Sequence, residues 1–129
     1  MDPDDRIAIT DLICLHGHLV DAGEPFDDLF TPEVAYDVSD LGGGVIIGRA
    51  ALWEAALALG DNNPVGHHVT NIVLTEAGTD EVKALSKGLG VMADGTVGSV
   101  TYDDVVVRTE SGWRISRRRV LARRRPLGR

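Results

Sequence analysis

The sequence predicts a single α+β domain over residues 1–129, in which helices come first and a curved, mostly antiparallel sheet wraps around them. Two amphipathic helical segments lie before residue 60, and four long strand-like segments follow. The length of 129 residues and the hydrophobic content of 43% suffice for one core but leave little room for a second. A sheet curled over helices encloses an apolar, cone-shaped space that suits a small molecule.

The first element is a helix over about Asp4–Ala22. Asp2 can cap it, Pro3 suits its first position, and Gly23 stands where a helix commonly ends. Its apolar residues repeat with helical periodicity and form one stripe: Ala8, Ile9, Leu12, Ile13, Leu19 and Val20. The segments predicted next are a helical turn over Pro25–Phe30, strands near Val34–Val38 and Val45–Ile47, and a second helix over Arg49–Leu59.

The second half of the chain predicts four strands separated by glycine-containing turns. They are Val69–Thr75, Glu81–Met92, Gly98–Thr109 and Trp113–Leu121. In the second of these, small residues alternate along one face, which indicates either room for a ligand or close helix packing.

Several classes of protein are disfavoured by composition. No apolar run approaches the roughly 18 residues of a membrane helix, so we expect no membrane span. The acidic segment Met1–Asp5 does not look like a secretory signal, and Cys14 is the only cysteine. We therefore expect a cytoplasmic protein without disulfides.

Charge is divided unevenly along the chain. All 20 acidic residues lie at or before Glu110, together with only five basic ones, whereas the last 19 residues hold eight arginines and no acid. A basic tail could contact nucleic acid, but the acidic remainder would repel phosphate. We expect instead that a basic final strand lies across an acidic body, and we expect no nucleic-acid partner.

Four positions stand out as candidates for chemistry. His16 falls within the apolar stripe of the first helix, where a titratable ring needs a polar partner. His67 and His68 occupy opposite faces of a strand whose two faces are both partly apolar, so alternation does not tell which one points inward. Asp21 ends the first helix and lies off its apolar stripe, which leaves a solvated acid as the alternative to a pocket residue.

The final strand must bury an arginine. Arg117 and Arg119 share one of its faces and Arg118 lies on the other, so one guanidinium points inward and needs an anion, either a partner carboxylate or a ligand. The chain contains no phosphate loop, dinucleotide-binding glycine pattern, nucleophile elbow or zinc helix. We therefore predict neither a metal site nor a cofactor.

The order of motifs resembles that of a known family. Leu19-Val20-Asp21 is followed by Leu29–Val34, Gly48–Leu52, His67–Asn71, Tyr102-Asp103-Asp104 and Gly112–Ile115. This order, over nearly the whole chain, resembles the SnoaL-like branch of the NTF2-like superfamily of cone-shaped α+β barrels. Within that branch it is similar to the scytalone dehydratase and hexachlorocyclohexane dehydrochlorinase group.

The resemblance implies a catalytic Asp–His dyad at Asp21 and His68. It also implies substrate-binding roles for His16 in place of a cationic pocket residue, for the strand aromatic Tyr36 and for Arg118. We add Trp53, from the apolar side of the second helix, to the substrate-binding residues. A tyrosine common in relatives six places before the acid is Leu15 here, so that carbonyl-polarising group is replaced or absent.

These residues predict a cofactor-independent lyase or isomerase, such as a dehydratase or cyclase, acting on a small hydrophobic, polyketide- or steroid-like substrate. An imidazole base oriented by a carboxylate would abstract a proton. The alternative is a non-catalytic domain that binds a small ligand or a partner through the same cavity. The resemblance also implies a homodimer.

Overall fold

A computed structural model describes residues 1–129 and confirms the predicted α+β architecture. The elements are α1 (Pro3–Ala22), β1 (Phe30–Asp37), β2 (Val45–Ile47), α2 (Arg49–Leu59), β3 (Gly66–Gly78), β4 (Glu81–Val91), β5 (Val97–Thr109) and β6 (Gly112–Ala122). The six strands form one open sheet in the order β2-β1-β6-β5-β4-β3, in which only the pair β1–β6 is parallel. None of the helices combines the length and the apolar character that a membrane crossing requires.

Helix α1 begins and ends where its capping residues predict. Asp2 accepts the backbone N–H of Asp5 at 2.8 Å in a capping box, and Gly23 closes the helix in the left-handed conformation at φ 66°. The Asp5 carboxylate also accepts bonds at 3.1 Å from the indole of Trp113 and from Arg108. These contacts attach the start of the helix to the sheet.

The core lies between α1 and the concave face of the sheet. Alternate residues of β4 point into it, and Val82, Ala84 and Ser86 are all buried. The small-residue face of this strand is therefore the inner one, and small side chains there let α1 and the neighbouring rings approach the sheet. The buried apolar residues are Ile9, Leu12, Ile13, Phe26, Leu29, Phe30, Val34, Leu52, Val82, Ala84, Val106, Trp113 and Ile115.

The basic final strand does lie against acidic partners, as predicted. Arg118 and Arg119 of β6 pair with Asp104 and Asp103 of β5 at 2.8 and 2.9 Å, because the antiparallel register places each pair side by side. Arg124, beyond the strand, lies 3.7 Å from Asp40. Part of the uneven charge of the sequence thus forms ion pairs between neighbouring residues of β6 and β5.

Two local predictions are wrong. Residues 25–30 form no helical turn; a hydrogen-bonded turn ends at Leu29, and Phe30 already begins β1, where it pairs with Ile115. Strand β3 starts at Gly66 rather than at Val69, because its first residues pair with the end of β4. The histidines therefore lie inside the strand, where the sheet fixes their direction.

Strand β3 also changes face partway along. Its register against β4 shifts between Thr70 and Val73, so three steps on β3 match two on β4, and Asn71 adopts φ 57° within this bulge. Asparagine tolerates that left-handed conformation better than most residues. Val69 before the bulge and Ile72 after it both pack on the core, which explains why both faces of this strand appear apolar in the sequence.

Candidate functional site

One large cavity opens at the end of the cone away from the start of α1. Its volume is about 590 Å³, and 15 of its 22 lining residues are hydrophobic, so it suits an apolar molecule of substantial size. The apolar lining comes from both helices, from β1, β2, β5 and β6, and from the loop between β4 and β5. Its ring-bearing polar residues are His16, Tyr36, His67 and Tyr102.

Asp21 and His67 form a hydrogen-bonded pair at the wall of this cavity. The Asp21 Oδ1 atom lies 2.7 Å from His67 Nδ1, and the carboxylate also accepts the backbone N–H of His67 at 3.0 and 3.1 Å. Strand β3 is at the edge of the sheet, so this N–H has no neighbouring strand on that side. One carboxylate therefore satisfies an edge amide and orients the imidazole.

The geometry leaves the second ring nitrogen of His67 free. When Asp21 is ionised, the Nδ1–H group of His67 donates a hydrogen bond to the carboxylate. The Nε2 atom then presents its lone pair. Nε2 makes no hydrogen bond within the chain, and His67 lines the cavity. The pair can thus accept a proton from a bound molecule and stabilise the imidazolium that results.

The predicted partner of Asp21, His68, is wrong by one position. His68 is exposed and lies opposite Leu89, which is exposed on the outer face of the sheet, whereas His67 lies opposite Gly90 in the cavity wall. Successive strand residues point to opposite faces, so only one of the two histidines can face the cavity. The bulge at Asn71 explains why alternation did not identify the inward histidine. Ile72 and Leu74 lie an even number of residues after His68 and point inward, but the strand changes face at the bulge between them and His68.

His16 occupies the floor of the cavity, as predicted, but it is not a cation. It is 5% exposed and its ring lies among Phe26, Phe30 and Tyr102. Burial, together with the charge of Arg118 and the neighbouring His67, lowers the pKa of His16 well below 6.5. Its Nδ1 is buried without a hydrogen-bond partner, so His16 is a neutral ring with an unused polar atom.

Two tyrosines, the only ones in the chain, share the same cavity. Burial raises the pKa of Tyr102 to about 12 and also raises the pKa of Tyr36, although the nearby charge of Arg118 opposes the rise at Tyr36. Both hydroxyls therefore stay protonated at neutral pH and can donate hydrogen bonds. Tyr102 was not among the predicted site residues, although it shares the inner face of β5 with Asp104 and Val106 by simple alternation.

Arg118 does point inward, but it lies behind the cavity wall rather than in it. The guanidinium is fully buried, binds Asp104 through two parallel hydrogen bonds of 2.8 and 2.9 Å, and stacks 4.2 Å from the centre of the Tyr102 ring. Its Nη1 atom has no partner. Of the two options left by the sequence, the internal ion pair is the one found.

Trp53 also lies outside the cavity, contrary to prediction. Leu52 and Ala56 of α2 face the cavity, and Trp53, rotated about 100° around the helix from Leu52, packs edge-to-face on Phe26 at 5.2 Å. It supports a lining residue from behind. Leu15, which replaces the tyrosine of many relatives, is exposed, and no three His, Cys, Asp or Glu side chains cluster as metal ligands.

Comparisons with known proteins agree with this fold. A family model described as a SnoaL-like domain matches residues 2–119, whereas no curated protein matches the chain by sequence. A solved structure of a candidate aromatic ring hydroxylase from Novosphingobium aromaticivorans is similar over 97% of this chain and 93% of its own, with 28% identity and a TM-score of 0.80.

Two further solved structures share the fold at lower identity. A candidate scytalone dehydratase from N. aromaticivorans is 19% identical over 99% of both chains, with a TM-score of 0.78. A hexachlorocyclohexane dehydrochlorinase from Novosphingobium barchaimii LL02 is 19% identical over 92% of this chain and 86% of its own, also with a TM-score of 0.78. At this level of identity the likeness establishes the fold alone.

Proposed function

Since the chain belongs to the SnoaL-like domain family, we propose that it is a cofactor-independent lyase or isomerase that abstracts a proton from a small hydrophobic substrate. The observation that carries this proposal is the 2.7 Å contact between Asp21 and His67 beside a largely apolar cavity of about 590 Å³. Two structural neighbours described as a dehydratase and a dehydrochlorinase support elimination chemistry in this fold.

In this mechanism His67 is the general base. Its Nε2 takes a proton from a carbon or hydroxyl group of the bound substrate, and Asp21 holds the ring in the required tautomer and offsets the positive charge that forms. The largely apolar lining of the cavity beside the pair strengthens that charge interaction. A positioned base of this kind contributes about 10²- to 10⁴-fold to the rate.

The polar groups on the cavity floor define the other half of the substrate. His16, Tyr36 and Tyr102 are neutral and line the cavity, and the Nδ1 atom of His16 has no hydrogen-bond partner. They suit an oxygen of a carbonyl, phenol or alcohol, which they can hold as it gains negative charge or departs. A polycyclic ketone or phenol of the polyketide or steroid type combines such an oxygen with enough apolar surface for the cavity.

The experiment is a mass-spectrometric screen of aromatic polyketides and steroids in D₂O. Proton abstraction is read either as deuterium uptake or as a product changed in mass by loss of water. With a substrate in hand, His67→Gln and Asp21→Asn should each lower turnover by about 10²-fold or more while ligand binding persists.

His68→Gln is the matched control, because His68 is the same residue type at the next position but is exposed. It should retain full turnover. Turnover that survives His67→Gln, or that is lost in His68→Gln, would contradict the assignment of the base. Tight binding with no deuterium uptake from any compound would favour a ligand-binding domain instead.

We also propose that two copies of the chain pair through the outer face of the sheet. Val73 and Leu85 lie opposite each other there, and with Leu89 they leave an exposed apolar strip on β3 and β4. Such a strip is typical of a surface that a partner covers. Sedimentation should give a dimer for the wild type and a monomer for Leu85→Lys; a wild type that stays monomeric at high concentration would exclude the pairing.

A further inference from the structure

We propose that a second, polar pocket of this protein binds a small oxyanion, such as a phosphoryl or carboxylate group. The pocket has a volume of about 350 Å³ and lies where β1 begins, beside the β5–β6 turn and the start of α2. Only one of its eight lining residues is hydrophobic, and it shares no lining residue with the large cavity. Its polar lining therefore suits a different kind of ligand from that of the large cavity.

Two arginines supply the positive charge. Arg49 and Arg114 both line the pocket, both are half-buried, and neither forms a salt bridge with any carboxylate of the chain. One nitrogen of each guanidinium donates to backbone carbonyl groups. Arg49 Nη1 donates to the carbonyl oxygens of Asp27 and Phe30, and Arg114 Nη1 donates to that of Trp113 at 2.8 Å. These bonds fix the guanidinium groups and leave their other N–H donors free.

Arg49 and Arg114 differ from the other arginines without a carboxylate partner because they are half-buried. Seven of the 11 arginines form no salt bridge, and the five besides Arg49 and Arg114 are all exposed. The other four arginines, Arg108, Arg118, Arg119 and Arg124, each lie within salt-bridge distance of at least one carboxylate. Two half-buried guanidinium groups in one pocket repel each other, and a bound anion removes that repulsion.

A buried hydroxyl in the same pocket also lacks a partner. Thr31 is 5% exposed, and its Oγ1 atom makes no hydrogen bond. A buried polar atom without a partner is uncommon in a folded protein and marks a place where a ligand or water completes the bonding. Thr31 also lines the pocket, so its O–H can donate to the same anion as the arginines.

The start of α2 adds to the positive potential. The helix runs for 11 residues from Arg49, and its N-cap, Gly48, offers no side chain to bond the free amides of the first turn. An anion near such a helix end gains from the helix dipole. The one opposing group is Glu110, an exposed carboxylate on the rim that forms no ion pair.

The test is a titration of ¹⁵N-labelled protein with inorganic phosphate and, separately, with acetate. Ionic strength is held constant with chloride, and amide chemical shifts are followed. We expect saturable shifts at Thr31 and Ser111 and none at His67. Saturation by both probes indicates a general oxyanion site, and saturation by one alone identifies the phosphoryl or the carboxylate class.

Three variants separate a built site from diffuse attraction. Arg114→Gln should raise the dissociation constant about tenfold, since a charged hydrogen bond is lost. Glu110→Gln should lower the dissociation constant, because it removes the opposing negative charge. Arg117→Gln, an exposed arginine on the same strand outside the pocket, should change nothing. Shifts that never saturate with either probe, or that respond to Arg117→Gln as strongly as to Arg114→Gln, would overturn the proposal.

Discussion

Gly17 of α1 lies directly against the backbone carbonyl of His67: a Cβ atom on Gly17 would be 2.8 Å from that oxygen. This close approach lets the helix cross the edge strand near the dyad. Asp21 stands one helical turn further along and so reaches both the backbone N–H and the ring of His67. The absence of a side chain at position 17 therefore sets the distance on which the dyad depends.

The first prediction concerns Gly17→Ala. In an unconstrained helix interior this change stabilises a protein by up to about 1 kcal/mol. Here the added methyl group forces α1 away from β3, and we expect a loss of about 1–3 kcal/mol in the free energy of unfolding. Urea denaturation measures it, and turnover should fall as Asp21 moves away from His67.

Gly78→Ala serves as the control, because Gly78 lies at the far end of β3 and its added Cβ would meet nothing closer than 3.8 Å. It should leave the dyad unaffected. A Gly17→Ala protein that is as stable as the wild type would show that the helix is not held at this distance.

The helices could be predicted because each follows from local rules, whereas strand alternation shows which residues share a face but not which face points inward. Capping at Asp2 and Gly23 fixes α1, and the small residues that alternate along β4 mark the face that the structure shows to be the inner one. The choice between His67 and His68 could not be predicted, because it depends on a one-residue bulge whose only sequence sign is Asn71. Alternation counted backwards from Ile72 across that bulge selects the wrong histidine.

The roles of Arg118 and Trp53 show a second limit. Strand alternation predicts that an arginine points inward, but whether it reaches the cavity depends on the rings in front of it. Tyr102 covers the Arg118 guanidinium, and Phe26 takes the position in the lining that Trp53 was expected to fill. These arrangements come from tertiary packing between segments far apart in sequence.

The second prediction concerns Gly88→Ala. The Tyr102 ring lies over Gly88, and a Cβ there would be 2.4 Å from the Tyr102 Cε2 atom, so the ring must move. We expect a loss of about 1–3 kcal/mol in stability and a changed cavity shape. In a Tyr102→Ala background the same substitution should cost little. Equal costs in both backgrounds, measured by urea denaturation, would exclude this contact as the cause.

The third prediction concerns the buried pair of Asp104 and Arg118. Asp104→Asn leaves a buried guanidinium without its counter-charge and should cost about 3–5 kcal/mol in unfolding free energy. The double variant Asp104→Leu with Arg118→Met removes both charges and should recover much of that loss. A double variant less stable than Asp104→Asn would contradict this account.

The next pair along the same strands provides the control. Asp103 and Arg119 form the same type of contact at 2.9 Å, but their side chains are 40% and 45% exposed. Solvent screens such a pair, so Asp103→Asn should cost no more than about 1 kcal/mol. The contrast between two adjacent pairs isolates the effect of burial.

The fourth prediction is a loss of stability on mild acidification that traces to His16. Its pKa in the folded protein is well below its ordinary value of 6.5, so the unfolded chain takes up a proton first. The stability contributed by neutral His16 is complete above about pH 6.5 and is lost as the pH falls below it, by at most about 1.4 kcal/mol per pH unit. Urea midpoints from pH 7.5 to 5.5 should therefore fall less steeply for His16→Gln than for the wild type.

His18→Gln, two residues away on the exposed side of α1, is the control and should keep the wild-type slope. An unchanged slope in His16→Gln would show that His16 is not the group that titrates.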